Sequence, residues 1–189
     1  MRAYDLLTPA LEPTLAVVRH IRPEQVEAPT PCADFTVRTL LAHLREWAPI
    51  LAAASPAPPP SSPEPGRETG LEAGLTRLAA AWSSPAAWQG TATMSGGPEM
   101  PAAMVGGMVL GEIVIHGWDL ARATGQEPRW EDEVLSFLHD EVARTADLGR
   151  EVKAYGPEVP VPPTASPLDR ILGLTGRDPG WSVPGNAER

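Results

Sequence analysis

The stretch from Glu99 to about Thr124 constrains the fold more than any other, because it is the longest segment with helical character. Gly125 follows it, and glycine is common just past a helix C-terminus. Within this helix Glu112 and His116 lie one turn apart, so a carboxylate oxygen and an imidazole nitrogen can converge on one point. The stretch therefore predicts a long helix that offers two ligands to a single metal ion.

A third ligand is expected from a second helix, over residues 35–47, in which His43 has apolar neighbours. Thr36 suits the N-cap, and an inward stripe at helical spacing follows it. That stripe consists of Val37, Leu40, Leu41, Leu44 and Trp47. A lone His on such a face is more often a core side chain, but here a Glu and His pair exists elsewhere to meet it. Two His and one carboxylate leave one position open, as in catalytic zinc sites.

Further helices complete the expected architecture. Helical spacing also occurs over residues 4–21, 67–82 and 131–148. Pro13 predicts a late start or a kink in the first of these helices. Ser166 is a suitable N-cap for a short helix that ends before Gly176. These helices with their long connections indicate an all-α bundle, the architecture in which facing helices can build a metal site in the core.

The connections between the helices are rich in Pro. Residues 55–66 cannot form a regular helix or a central strand, so we expect an extended loop there. Residues 91–94 are weakly strand-like. Residues 155–162 contain too much Pro for a central strand but suit an edge strand.

Sulfur-containing side chains form two patterns. Met100, Met104 and Met108 recur every four residues on one helix face. This spacing favours adaptable core packing over a wall that contacts substrate. Cys32 lies just before the N-terminus of the second helix, where a thiolate is favoured. Because no His or Lys stands beside Cys32 in the sequence, we favour a non-catalytic role for it.

Length and charge limit the remaining interpretations. A chain of 189 residues can bury one substantial core, so residues 1–189 are expected to form a single domain. The net charge of -9, without a run among the 15 basic residues, argues against a nucleic-acid partner. The chain has one Cys and no apolar N-terminal signal segment, and no apolar run approaches the roughly 20 residues of a membrane span. We therefore expect the protein to be cytoplasmic and to have no membrane partner.

Three segments together resemble a known family. They are residues 31–44 (PCADFTVRTLLAHL), 114–126 (VIHGWDLARATGQ) and 169–181 (DRILGLTGRDPGW). They resemble the actinobacterial metal-binding family related to the N-terminal domain of mycothiol-dependent maleylpyruvate isomerase, within the DinB-like superfamily. The resemblance implies a DinB-like four-helix bundle in which zinc is held by His43, Glu112 and His116. The helix spacing selects the same three residues.

Two departures from the family bear on function. The isomerase has an additional C-terminal domain that contributes to its active site, and we expect this chain to be too short to contain it. Maleylpyruvate isomerisation itself is therefore not expected. Phe35 stands where the family commonly has Trp before the Thr-Val segment, a change that we interpret as packing.

The expected site suggests a chemistry. Zinc, or another divalent metal such as nickel, held by two neutral imidazoles and one carboxylate would have a net charge near +1 and favour an anionic fourth ligand. Coordination deprotonates a thiol. The leading hypothesis is therefore an enzyme that uses a low-molecular-weight thiol such as mycothiol as the nucleophile on a small electrophilic substrate. Such an enzyme would be a thiol transferase or a thiol-assisted isomerase.

Three other charged residues have weaker assignments. Asp119 and Arg122 follow on the same helix, and we expect an ion pair that supports the ligands or joins helices rather than a catalytic role. Arg177, near the end of the chain, can bind an anionic substrate group if the tail folds over the site. A surface position is the commoner outcome for such an Arg.

Two alternatives remain open from the sequence. The same metal bundle can act as a non-catalytic protein that sequesters a small molecule, or as a hydrolase with zinc-bound hydroxide as the nucleophile. Binding without turnover predicts stoichiometric retention of a ligand, whereas transfer consumes the thiol and forms a thioether. The sequence is compatible with a homodimer and does not identify the electrophile.

Overall fold

The computed structural model describes residues 2–58, 70–94 and 96–183. The α-helices in these residues are α1 (Leu7–Arg19), α2 (Val37–Ala53), α3 (Leu71–Trp82), α4 (Ala102–Thr124), α5 (Asp132–Glu151) and α6 (Pro167–Leu174). Short 3₁₀ turns cover Ala3–Asp5, Pro23–Gln25 and Pro85–Trp88. Strands β1 (Thr91–Thr93) and β2 (Glu99–Pro101) form an antiparallel hairpin. The predicted helical fold is confirmed, as is the strand-like character of residues 91–94.

Helix α4 lies at the centre of the core, because it is apolar along almost its whole length and packs against α1, α2, α3 and α5. It begins at Ala102 rather than at the expected Glu99, since residues 99–101 pair with residues 91–93 as β2. It ends as expected at Gly125, whose φ of 71° is left-handed.

By length and composition α4 could also cross a membrane, which corrects the expectation that no apolar run is long enough. Its most apolar window has a mean hydropathy of 1.2, and 78% of that window is buried inside the protein. Burial at the centre of a helical core therefore accounts for the apolar composition of α4.

The other helices follow their predicted positions with shifted ends. Helix α1 starts later than residue 4 and continues through Pro13. Helix α2 begins after Thr36, whose side-chain oxygen accepts a hydrogen bond from the backbone N–H of Thr39 at 3.3 Å. It extends to Ala53, beyond the expected end at Trp47. The N-cap prediction is therefore right and the predicted C-terminus too early.

The Pro-rich connections are only partly described. Most of the predicted loop over residues 55–66 lies outside the described residues. Over residues 155–162 the edge-strand prediction is wrong, and the backbone N–H of Val159 instead donates to the carbonyl oxygen of Gly173 at 2.9 Å. Helix α6 is capped by Ser166 as predicted, and the chain after it returns to the centre of the fold.

Gly117 allows α1 and α4 to approach closely. Thr14 of α1 is fully buried, and its hydroxyl donates a hydrogen bond to the carbonyl oxygen of Ile113 at 2.9 Å. A Cβ on Gly117 would lie 2.4 Å from Oγ1 of Thr14 and 3.1 Å from its Cβ. The packing of these two helices therefore depends on the absence of a side chain at position 117.

We expect Gly117→Ala to destabilise the fold, whereas Gly111→Ala on the same helix should not. Both variants gain about 1 kcal/mol from the better helix propensity of Ala, and Gly117→Ala alone loses about 1–3 kcal/mol to overpacking, so it should be about 1–3 kcal/mol less stable than Gly111→Ala. A Cβ on Gly111 would meet Ile115 and Leu138 at 3.6 Å, an ordinary contact. Urea unfolding measures both variants, and equal stability would contradict the role given to the close approach.

Candidate metal centre

Two facing helices bring three metal-ligating side chains together. His43 comes from α2, and Glu112 and His116 come from successive turns of α4. Nε2 of His43 lies 2.8 Å from Oε1 of Glu112, and Nε2 of His116 lies 3.7 Å from the same oxygen. Ligand atoms of the three residues all lie within 4.8 Å of one another. The structure thus places side by side the three residues that the sequence selects.

Asp119 determines how the His116 ring is oriented. It lies almost one turn further along α4 and is fully buried, with Oδ2 2.9 Å from Nδ1 of His116. We assign the ring proton to Nδ1, because the Asp119 carboxylate can accept a hydrogen bond from an N–H group there. Nε2 is then free to act as a ligand atom beside Glu112, the arrangement that commonly supports a metal-binding His.

Arg177 holds Asp119 from the other side. Its guanidinium donates to the two Asp119 oxygens at 3.0 and 3.4 Å, and to the carbonyl oxygen of Thr175 at 2.9 Å. Arg177 is 5% exposed, so the expected surface position is wrong and the tail does fold over the site. The expected ion pair of Asp119 with Arg122 is also wrong, because Arg122 donates instead to the carbonyl oxygen of Trp181 at 3.1 Å.

The charges of this cluster shift one another's pKa values. Burial raises the pKa of Glu112, but His116 and His43 outweigh this effect and leave the pKa lowered. Burial lowers the pKa of His116, but the carboxylates of Glu112 and Asp119 leave it raised. Burial also raises the pKa of Asp119, but Arg177 and His116 together outweigh this effect and leave the pKa lowered. Both carboxylates are therefore ionised at neutral pH.

The donor set around Glu112 fits a divalent cation that accepts nitrogen and oxygen ligands. Two imidazoles and one ionised carboxylate converge there, and three protein ligands leave a position open. A second group, Cys32 with His116 and Asp119, also has ligand atoms within 4.8 Å of one another. A thiol must lose its proton to bind metal, yet burial raises the pKa of Cys32 to about 11. This pKa overturns the expected thiolate, so the group around Glu112 is the stronger candidate.

Aromatic rings surround the two imidazoles. The ring centroid of Phe35 lies 5.1 Å from that of His43 and 6.3 Å from that of His116. The ring centroid of Trp47 lies 6.1 Å from that of His43. These contacts agree with the interpretation of Phe35 as a packing residue, and they restrict the movement of the ligand rings.

A cavity of about 380 Å³ opens beside Glu112 and His116. Met100, Met104 and Met108 all line it, so the methionine stripe borders a cavity, and of the three Met100 also packs against the hydrophobic core as expected. Met104 and Met108 lie on the α4 face that borders the cavity, whereas Met100 lies on β2 and not on the helix as expected.

Sequence reasoning missed the opposite wall of the cavity. Leu148, Val152 and Tyr155, at and just after the end of α5, line it. A signal was present, since Leu148 and Val152 are apolar residues four positions apart at the end of an amphipathic helix. Helical spacing alone does not indicate whether such residues face a core or a cavity.

The fold and the donor set together define a helical-bundle protein of the DinB-like, metal-binding class. The chain belongs to the mycothiol maleylpyruvate isomerase N-terminal domain family, whose model matches residues 7–121. The matched region carries His43, Glu112, His116 and Asp119, but ends before Arg177.

Two relatives come from Mycobacterium tuberculosis. They are Uncharacterized protein Rv0738 of strain H37Rv and Uncharacterized protein MT0763 of strain CDC 1551. Each is 27% identical over 173 residues, which cover 86% of this chain and 90% of the relative. No solved structure is significantly similar to the chain.

Arg177→Ala is expected to destabilise the fold strongly, because Asp119 then stays buried without its cation. Breaking a buried ion pair costs about 3–5 kcal/mol. Arg19→Ala is the control, since it breaks an exposed pair with Glu72 and should cost at most about 1 kcal/mol. Urea unfolding at neutral pH compares the two variants. A loss in Arg177→Ala no greater than in the control would contradict the importance of the buried pair.

The stability deficit of Arg177→Ala should shrink as the pH falls. In the natural chain the lowered pKa of Asp119 stabilises the fold above the unfolded value of about 3.9, and this stability is lost as pH falls through the folded pKa. Without Arg177, burial raises the pKa of Asp119 and only His116 remains to lower it, so the pKa is higher than in the natural chain. Protonation of Asp119 at lower pH then removes the unpaired buried charge. Unfolding free energies at neutral and mildly acidic pH measure this change. A deficit independent of pH would assign the loss to packing instead.

Proposed function

We propose that this protein is a zinc-dependent cytoplasmic enzyme that uses a mycothiol-like thiol on a small electrophilic substrate. It acts as a thiol S-transferase or a thiol-assisted isomerase. The observation that carries the proposal is the convergence of His43, Glu112 and His116 at a cavity. The family is named after a mycothiol-dependent isomerase, which supports mycothiol as the thiol. Nickel or another divalent metal suits the same three ligands.

His43, Glu112 and His116 would hold the metal and leave one position for a further ligand. When bound, such an ion supplies Lewis-acid chemistry that favours the anionic form of a coordinated thiol. Asp119 keeps the His116 ring in one tautomer and orientation, and Arg177 in turn fixes Asp119. These two residues therefore position the site.

The proposed reaction forms a bond between the thiol sulfur and an electrophilic carbon. In an addition across an activated double bond, the thiol proton ends on the neighbouring carbon, so the atoms balance without a further reagent. In an isomerisation, the sulfur and the proton add to the two carbons, the former double bond rotates, and the sulfur then leaves with the electron pair of its bond to carbon while the neighbouring carbon loses a proton, which restores the double bond and the thiol. The protein has to exclude water and hold the substrate beside Glu112 and His116, which both line the cavity.

A non-catalytic binding protein is the second candidate, because the cavity is already formed and is large enough for a small molecule. Such a protein would retain its ligand stoichiometrically and consume no thiol. Hydrolysis has less support, because it needs a general base at the open position. Asp119, the buried carboxylate nearest to the ligands, is already engaged by His116 and Arg177.

Metal content should fall to background in His43→Ala, Glu112→Ala and His116→Ala, and metal-dependent formation of a thioether or an isomerised product should disappear with it. His20→Ala is the matched control, because His20 is exposed at the end of α1 and its Nδ1 lies 2.7 Å from the carbonyl oxygen of Ala16. The measurement is metal analysis, with mass spectrometry after incubation with mycothiol and a panel of electrophiles. Metal-stripped protein runs alongside.

The outcomes separate the candidate functions. Metal that stays near one ion per chain in all three variants would overturn the ligand assignment. A metal-dependent thioether or isomerised product in the natural chain would support the enzyme. Bound metal with a ligand retained stoichiometrically and no product would support the binding protein instead.

A further inference from the structure

The wall of the cavity is rich in thioether sulfur. Four of the five methionines of the chain line it, namely Met94, Met100, Met104 and Met108. The fifth, Met1, lies outside the described residues. Methionine side chains are flexible, adapt to irregular shapes and contact aromatic rings favourably. A wall of this composition suits an apolar ligand, including one with an aromatic ring.

The mouth of the same cavity carries exposed apolar side chains. Leu148 is 44% exposed and Val152 is 61% exposed, and they are the exposed large hydrophobic residues in the described part of the chain. Both line the cavity. Single exposed apolar residues are ordinary, but a group of them at a cavity marks a binding site. The apolar surface continues inward to Glu112 and His116, so a ligand held there reaches the candidate metal site.

The turn after α5 builds one side of the cavity. The backbone N–H groups of Ala154 and Tyr155 donate to the carbonyl oxygen of Gly149 at 2.8 and 3.0 Å. Lys153 has a φ of 60°, a left-handed conformation that a non-glycine residue adopts at a cost. A Cβ on Gly149 would lie 2.3 Å from Cδ2 of Tyr155, so glycine lets the Tyr155 ring pack against the helix. The cavity wall is therefore formed in advance of any ligand.

The charged side chains on the described wall are engaged. Glu112 and His116 contact each other and belong to the candidate metal centre. Arg177 is held by two hydrogen bonds to Asp119 and a third to the carbonyl oxygen of Thr175. An anionic group held away from the candidate metal site would have to give up hydration while the Arg177 guanidinium on this wall is already paired with Asp119, which is unfavourable. The wall therefore selects against a charged ligand body.

We propose that this cavity binds the uncharged, apolar body of the electrophilic substrate and directs its reactive carbon towards Glu112 and His116. An aromatic ring system or a branched alkyl group has the required chemistry. The cavity volume of about 380 Å³ limits the substrate to roughly the size of a compound with one or two rings. The inference rests on the proposed function for the reaction and adds the substrate class.

A neutral fluorescent probe, N-phenyl-1-naphthylamine, tests the cavity without reference to turnover. Titration of the full chain should show saturable binding. Met104→Glu should weaken this binding at least about tenfold, because a carboxylate then stands in the apolar wall. Met104 lies in the first turn of α4, where an acidic residue favours the helix N-terminus, so the variant is expected to fold. Met104→Leu is the matched control and should bind within about threefold of the natural chain.

A competition experiment on the natural chain provides a second measurement. Neutral 2-naphthalenemethanol should displace the probe at a concentration at least about tenfold lower than its carboxylate counterpart, 2-naphthoate. Equal displacement by the two compounds would overturn the proposal. Probe affinity unchanged in Met104→Glu would also overturn it.

His43→Ala separates this inference from the proposed reaction. The described wall comes from the hairpin, α4, α5 and the chain around Tyr155 and Arg177, whereas His43 is on α2. Probe binding should therefore persist in His43→Ala when metal is lost. Saturable probe binding without metal or thiol transfer in the natural chain would support the apolar cavity and overturn the reaction. Metal-dependent transfer without probe binding would overturn the cavity assignment alone.

Discussion

The buried ion pair between Asp119 and Arg177 is the interaction on which the rest of the site depends. A carboxylate inside an apolar helix core is unfavourable unless a cation and hydrogen bonds compensate it. Arg177 supplies both, and it comes from the chain that follows α6. The same carboxylate accepts a hydrogen bond from Nδ1 of the His116 ring. One pair therefore joins the tail to α4, orients a candidate ligand and completes one wall of the cavity.

Much of the fold and three residues of the site follow from local sequence periodicity. His43, Glu112 and His116 could be selected because positions on one helix face are fixed by spacing of three and four residues. The structure brings these side chains together. Prediction failed where distant contacts override local preference. Residues 99–101 join a hairpin rather than extend α4, because pairing with β1 satisfies their backbone.

Other parts of the site could not be read from the sequence, for physical reasons. Arg177 lies 58 positions from Asp119, and no spacing rule relates a side chain to a partner at that distance. The methionine stripe had the period of a core face, because a helix that borders a cavity and one that borders another helix show the same pattern. Only tertiary structure distinguishes the two cases. The apolar wall is therefore the part of the site that depended most on the structure.

Cys32 is the single cysteine of the chain and lies within reach of the His116 and Asp119 side chains. At neutral pH a thiol with a pKa of about 11 is almost entirely protonated, and the thiolate is the form that attacks electrophiles. On the proposed function, an electrophile is held in the cavity beside His116, whose ring also lies near this thiol. The protonated state therefore protects this thiol from alkylation by the substrate, and the small-molecule thiol is the nucleophile that reacts.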